Sequence, residues 1–145
     1  MIGVIQRVKS ASVTIDKELY SEIQQGILLL FGVEKGDTKD KVEKLADKIS
    51  KLRIFEDEDE KMNKSILDVQ GEILVVSQFT LAANCSKGTR PSFDNAEKPD
   101  LANELYEYVI TQIKLKGIPV KTGVFGAMMD VGLVNDGPVT FVLCT

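Results

Sequence analysis

Two short segments of this sequence carry residue types that can do chemistry at a backbone turn. Ser77-Gln78-Phe79-Thr80-Leu81 places two hydroxyls and a carboxamide at the polar end of an apolar, β-branched run, and Asn135-Asp136-Gly137-Pro138-Val139-Thr140 places a Gly-Pro pair before another apolar run. Such side chains donate and accept hydrogen bonds, and Thr80 carries the oxygen that a nucleophile needs. Gly137 permits close backbone approach, and Pro138 is one of the few residues whose preceding peptide bond can be cis at tolerable cost. Taken singly, the first string is a plain strand end and the second a turn entering a strand. The chain contains no histidine, which removes Ser-His-Asp and Cys-His activation and the commonest general acid-base group. A hydrolase built on these residues must activate its water or nucleophile through a carboxylate, a lysine, the substrate itself or backbone dipoles.

Metal and redox chemistry find little support. Cys85 and Cys144 are far apart in sequence and form no CxxC or Cys/His ligand set. The acidic run Glu56-Asp57-Glu58-Asp59-Glu60 lacks the alternating pattern of a cation loop and reads as a loop kept in water by like-charge repulsion. No metal and no cofactor are expected. A formal net charge of -4 counts against coating long stretches of nucleic acid, a mode that depends on many cations displacing counterions. It leaves open the gripping of one nucleic-acid end by a few cations among Arg7, Lys9, Lys87, Arg90 and Lys121. For any one of them, a solvated surface charge is the plainer expectation.

The elements that must position these segments follow from periodicity. Gly3 to Lys9 and Ser12 to Ile15 alternate apolar with polar residues as two strands, Asp16-Lys17-Glu18 is a hairpin turn, and Gly26 to Val33 is a buried strand. Asp37 or Thr38 caps a helix whose apolar residues Val42, Leu45, Ile49 and Leu52 recur at helical spacing. A central strand runs from Glu72 to Leu81, and the Asn-, Ser-, Gly- and Pro-rich stretch from Ala82 to Lys98 is a binding loop. Pro99 opens a second helix carrying Leu101, Leu105, Val109 and Ile113 toward Gly117. Pro119 to Lys121, Met128 to Val134 and Val139 to Leu143 complete the strands. With 145 residues, 43% of them hydrophobic, the expectation is one α/β domain spanning residues 1–145, its mixed and antiparallel sheets forming a barrel-like core with two covering helices. No signal peptide and no apolar run long enough for a membrane helix is present, which predicts a cytoplasmic address and no membrane partner.

In its SQFTL and NxGPVT motifs the sequence closely resembles the D-aminoacyl-tRNA deacylase family. Collinear segments support the match: Gln6-Arg7-Val8, Ala11-Ser12-Val13, Leu52-Arg53-Ile54-Phe55, Lys61-Met62-Asn63, Gly88 with Arg90-Pro91-Ser92-Phe93, and Thr122-Gly123 with Phe125-Gly126-Ala127. The resemblance implies a homodimeric hydrolase with shared active sites, acting in translation proofreading on the ester of D-aminoacyl-tRNA and on glycyl-tRNA mischarged on tRNA(Ala). It implies that a cis Gly137-Pro138 turn from one subunit enters the partner's site and excludes L side chains. The catalytic set is then Gln78, Phe79, Thr80, Gly137 and Pro138. Backbone N–H groups around Phe79 and Thr80 hold the oxyanion while Thr80 orients, and water attacks with help from the ribose 2′-hydroxyl. Ser77, Gln78 and Thr80 bind the 3′-terminal aminoacyl-adenosine, Phe125 and Met129 wall the pocket, and Lys87 and Arg90 meet acceptor-end phosphates. Ala82-Ala83-Asn84-Cys85-Ser86 and Met128 depart from the family pattern, which often has aromatic, acidic and basic residues there. The competing expectations are a deacylase admitting small L-amino acids through a trans Gly-Pro turn, and a nucleic-acid-binding module without catalysis.

Overall fold

The computed structural model describes residues 1–145. Its backbone is organised by one long strand, β1 (Ile2–Ile15), which an Asp16-Lys17 turn with both residues at positive φ joins to β2 (Glu18–Ile23). One edge of β1 is shared. Its first half pairs antiparallel with β3 (Gly26–Gly32), from Ile2↔Gly32 to Val8↔Gly26, and its second half pairs with β2. The other edge carries β8 (Asp130–Cys144) from Ile2↔Cys144 to Thr14↔Asp130. β3 continues the sheet in parallel to β6 (Glu72–Ser77), which pairs in parallel with β7 (Val120–Thr122). Ser21 Oγ donates to the Thr122 carbonyl at 2.7 Å, bringing β2 back against β7. The sheet is thereby curled into a nearly closed barrel.

Two helices cover one face. α1 (Lys39–Lys51) buries Val42, Leu45, Ala46 and Ile49, and α2 (Pro99–Leu115) buries Leu105, Tyr106, Val109, Ile110 and Ile113. They pack on Ile5, Ile27, Leu29, Ile73 and Val75, while the barrel interior holds Val8, Ala11, Val13, Ile23, Leu28, Leu74 and Val76. β3 and β6 are thus buried on both faces, the physical reason for their unbroken apolar runs. Each fully buried Leu, Ile or Val contributes about 1.5–3 kcal/mol. The single α/β domain with a barrel-like sheet and two covering helices is as the sequence predicts. No helix is long and apolar enough to cross a membrane.

Several local expectations are corrected. Gly3–Lys9 and Ser12–Ile15 belong to one strand, as do Met128–Val134 and Val139–Leu143 apart from Met128 and Met129, because β1 and β8 hold each other together across their interruptions. The strand from Glu72 ends at Ser77. Leu101 is 39% exposed, since the first turn of α2 faces solvent and Tyr106 and Ile110 take the core positions instead. Thr38 stands at the N-cap of α1 without a capping side-chain bond. The neighbouring Asp37 accepts from the Glu34 N–H, the Met1 ammonium and Lys41; burial opposes its charge, and these bonds outweigh burial to hold its pKa below the ordinary value. The acidic run is an ordered turn between β4 (Phe55–Glu56) and β5 (Met62–Lys64), with Asp57 accepting from the Asp59 and Lys61 N–H groups and from Asn63.

Candidate active site

The C-terminal end of β6 is where the polar residues leave the sheet. Gln78 N–H donates to the Phe31 carbonyl at 2.8 Å, and the chain then folds into a single 3₁₀ turn, Phe79–Ala82. Gly32 makes room for that turn: a Cβ on it would lie 2.9 Å from Leu81 Cβ and 3.1 Å from the Gln78 carbonyl oxygen. The first N–H groups of such a turn have no partner inside it. Here they belong to Phe79 and Thr80, both exposed. Gln78 Nε2 donates to Thr80 Oγ1 at 2.5 Å, so the hydroxyl is held as an acceptor.

Beside this turn lies a cavity of about 550 Å³, within the range that takes a small organic ligand. Ser77, Gln78 and Phe79 form one wall, Phe125 to Met129 another, and Phe31, Val33, Ala102 and Tyr106 lie beneath. The second wall is pinned from below. Tyr106 Oη donates toward the Val75 carbonyl at 3.0 Å and the Gly123 carbonyl at 3.3 Å, while Gly123 N–H donates to Val75 at 2.9 Å. Burial pushes the Tyr106 hydroxyl far above its ordinary pKa, so it remains a neutral donor. The Tyr106 and Phe125 rings are 5.9 Å apart, and the Val124 N–H meets Met129 Sδ at 3.4 Å.

The Gly-Pro segment is built on a different part of the sheet. Gln6 pairs with Thr140 and Val8 with Asn135, so Asp136 to Val139 stand opposite Arg7 alone and bulge out of β8. The Gly137–Pro138 peptide is cis, and both residues are exposed. Asn135 closes the neck of the bulge: its Oδ1 accepts from the Val139 N–H at 2.7 Å, and its Nδ2 donates to the Val139 carbonyl and Thr140 Oγ1, each at 3.2 Å. Arg7 supports it from beneath. Nε donates to the Asp136 carbonyl at 2.8 Å, one terminal nitrogen donates to the Ile54 carbonyl at 2.8 Å, and the other reaches Glu56 at 3.3 Å.

Residues 4–144 match the family model described as D-Tyr-tRNA(Tyr) deacylase. The chain belongs to that family. It is 59% identical over 140 residues to a protein of Exiguobacterium sibiricum named D-aminoacyl-tRNA deacylase, covering 97% of each chain. A protein of the same name from Thermodesulfovibrio yellowstonii is 57% identical over 145 residues, covering all of this chain and 99% of its own. Among solved structures, one described as c-Myc DNA Unwinding Element Binding Protein superposes with a TM-score of 0.94 at 43% identity, covering 100% of this chain and 99% of its own. A probable eukaryotic D-amino acid tRNA deacylase shares the fold with a TM-score of 0.81 at 16% identity, covering 98% of this chain and 97% of its own.

Within this deacylase-family chain the motif residues fall into separate groups. Ser77, Gln78, Phe79, Phe125 and Met129 meet around the cavity, with Thr80 exposed on the turn next to it. Lys87 and Arg90 are exposed on a loop closed by paired backbone bonds between Asn84 and Ser92. Gly137 and Pro138 do not line the cavity of their own chain. Met128, at the cavity rim, is 92% exposed. The solvated-charge expectation fails for Arg7, which is 4% exposed. Gly3, Ile5 and Arg7 occupy successive inward positions of β1, so a charge in phase with buried residues was the signal in the sequence that marked Arg7. Asn135 stood in the NxGPVT motif without a role assigned to it, and Tyr106 carried no comparable signal.

Proposed function

We propose that this protein hydrolyses the ester joining a D-amino acid to the 3′-terminal adenosine of tRNA. The observation that carries this reading is the cavity walled by Ser77, Gln78 and Phe79 beside a turn whose leading N–H groups have no partner within it, in a chain of this family. The cavity takes the adenosine and the aminoacyl group, with Ser77 and Gln78 bonding the nucleoside. The Phe79 and Thr80 N–H groups receive the carbonyl oxygen as it gains charge, a preorganised arrangement that needs no ionisable side chain. Water attacks the ester carbon, the neighbouring 2′-hydroxyl assists, and the 3′-oxygen leaves. Thr80, already bonded to Gln78 and without a base beside it in the sequence motif, orients rather than attacks. Lys87 and Arg90 meet backbone phosphates as positioning charges.

Selection against L-aminoacyl groups is assigned to Gly137 and Pro138 of a second copy. Three features support this. The turn is exposed and braced by Arg7 and Asn135, as rejection by collision with backbone requires. It does not line its own chain's cavity. β8 also has no strand on its outer edge, and Leu133, Val134, Phe141 and Val142 are 37–64% exposed along it, a surface that a twofold partner would cover. Glycyl-tRNA, including that mischarged on tRNA(Ala), is also a substrate because glycine has no side chain to exclude. Tyrosyl-tRNA charged with D- or L-tyrosine, and glycyl-tRNA, are the test: D-tyrosine and glycine are released and L-tyrosine is spared. Equal release of both tyrosine enantiomers would overturn the filter, and tight RNA binding without ester turnover would overturn the enzyme. Sedimentation checks the assembly. A dimer that Val142→Lys dissociates, with loss of turnover, is the expected result.

A further inference from the structure

Two aromatic rings stand in water at the rim of the cavity. Phe79 is 61% exposed and Phe93 40% exposed, yet their centroids are 5.0 Å apart and tilted by 58°. Their placement is built rather than incidental. Phe93 directly follows the Asn84–Ser92 bridge, and its carbonyl accepts from the Ala96 N–H at 3.0 Å, while Ala96 itself bridges to Glu34. The segment is thus tied to the body on both sides of the ring. Between Phe79 and Phe93 the chain carries Lys87 and Arg90 and no carboxylate, although the protein as a whole has a net charge of -4.

We infer that the Phe79–Phe93 pair is a stacking subsite for the base of the nucleotide preceding the terminal adenosine. This rests on the deacylase reading. The cavity of about 550 Å³ has room for one nucleoside and its aminoacyl group, so the preceding nucleotide lies outside it, and the Phe79 ring both lines the cavity and is exposed to that outside. An unpaired base stacks on an aromatic face in a sequence-tolerant way, and nearby cations track its phosphates. The adjoining loop supplies both cations. Removing one stacking ring weakens such contacts enough to change binding about tenfold.

The test separates substrates by length. D-tyrosine is esterified to adenosine alone or to the trinucleotide cytidine-cytidine-adenosine, and each ester is given to the full protein and to Phe93→Ala. Loss of about tenfold in kcat/KM on the trinucleotide ester with little change on the adenosine ester supports the subsite. Equal loss on both, or no loss on either, overturns it. Because the protein has no tryptophan, Phe93→Trp introduces a single indole. It should restore trinucleotide activity, and its fluorescence should be quenched by the uncharged trinucleotide but not by adenosine. Quenching by both or by neither counts against the subsite. A change of oligomeric state in Phe93→Ala would assign the pair to contact between copies and overturn the inference. If the unsubstituted protein hydrolyses neither ester nor D-tyrosyl-tRNA, the deacylase reading itself fails, and the subsite with it.

Discussion

Replacing Arg7 with methionine keeps most of the aliphatic stem and deletes the guanidinium that ties the Gly137–Pro138 bulge to the body. The loss can be worked out contact by contact. The Ile54 carbonyl is buried and the Asp136 carbonyl partly so, and each loses a donor now 2.8 Å away. An unsatisfied buried carbonyl costs about 1–3 kcal/mol. The ion pairs to Glu56 and Asp136 are both 3.3 Å long, but these carboxylates are 52% and 32% exposed and return to water. Each adds less than about 1 kcal/mol. The part-buried Asp136 carbonyl takes water in place of the lost donor, so the buried Ile54 carbonyl and the two weak ion pairs set the expected loss, about 2–4 kcal/mol in total.

With a urea m-value of about 1–3 kcal/mol/M, a loss of about 3 kcal/mol lowers the urea midpoint by about 1–3 M. Stability alone would not distinguish a brace from an ordinary buried arginine. The second readout is the ratio of kcat/KM for D- and L-tyrosyl-tRNA, measured below the variant's unfolding transition. A bulge freed from β1 should lose discrimination more than it loses turnover on the D substrate. Arg7→Lys keeps a charge but cannot reach the Asp136, Ile54 and Glu56 oxygens together, so it should fall between the two proteins on both measures. A midpoint within about 0.3 M of the original, with the D/L ratio unchanged, would refute Arg7 as the brace.

Two further substitutions bear on the chemistry and on pH. Thr80→Ala removes the acceptor for Gln78 and should lower kcat about tenfold or less, whereas loss of all turnover with fold and binding intact would restore Thr80 as nucleophile. Gly137→Ala should damage discrimination more than Thr80→Ala does, because its Cβ would lie 2.6 Å from both the Val139 nitrogen and Val139 Cγ2 at a φ of +154°; an unaltered D/L ratio would argue against the filter. Burial raises the Tyr106 pKa in the fold, so its contribution is fully present below the ordinary value of 10.0 and declines as pH rises above it, where the unfolded chain gives up the proton and the folded one keeps it. Melting temperatures of the protein should therefore fall more steeply above about pH 10 than those of Tyr106→Phe, which starts about 1 kcal/mol less stable through its lost hydrogen bond.

The elements most legible in the sequence were those whose burial follows one period. α1 is amphipathic throughout, and Val42, Leu45 and Ile49 are buried as their spacing predicts. β3 and β6 are apolar on both faces because helices cover one side and the barrel interior the other. Legibility fell where the period slips. In β1 both Arg7 and Val8 are buried, breaking the alternation, and the register with β8 shifts on either side of Val8. The gap read between the two strands, at Ser10-Ala11, follows directly on that slip, and what bridges it is β8, more than a hundred positions away. The end of β6 was misplaced for a related reason: the room for the turn there comes from the missing Cβ of Gly32 on a neighbouring strand.

The slip and the Gly-Pro segment are one feature seen from two strands. β8 places Asp136 to Val139 opposite Arg7 alone, and Gly137 and Pro138, the exposed middle of that excess length, leave the sheet as a turn. A regular ladder would have drawn Gly137 and Pro138 into the edge, where neither could stand clear of the sheet. The Arg7 guanidinium lies under the neck of that turn, so the residue opposite the excess length also braces it. Restoring regular pairing here, by deleting residues between Asn135 and Thr140, should therefore leave a protein that folds and retains its nucleoside pocket while losing choice between D- and L-aminoacyl esters. Unaltered choice after such a deletion would place the filter elsewhere in the molecule.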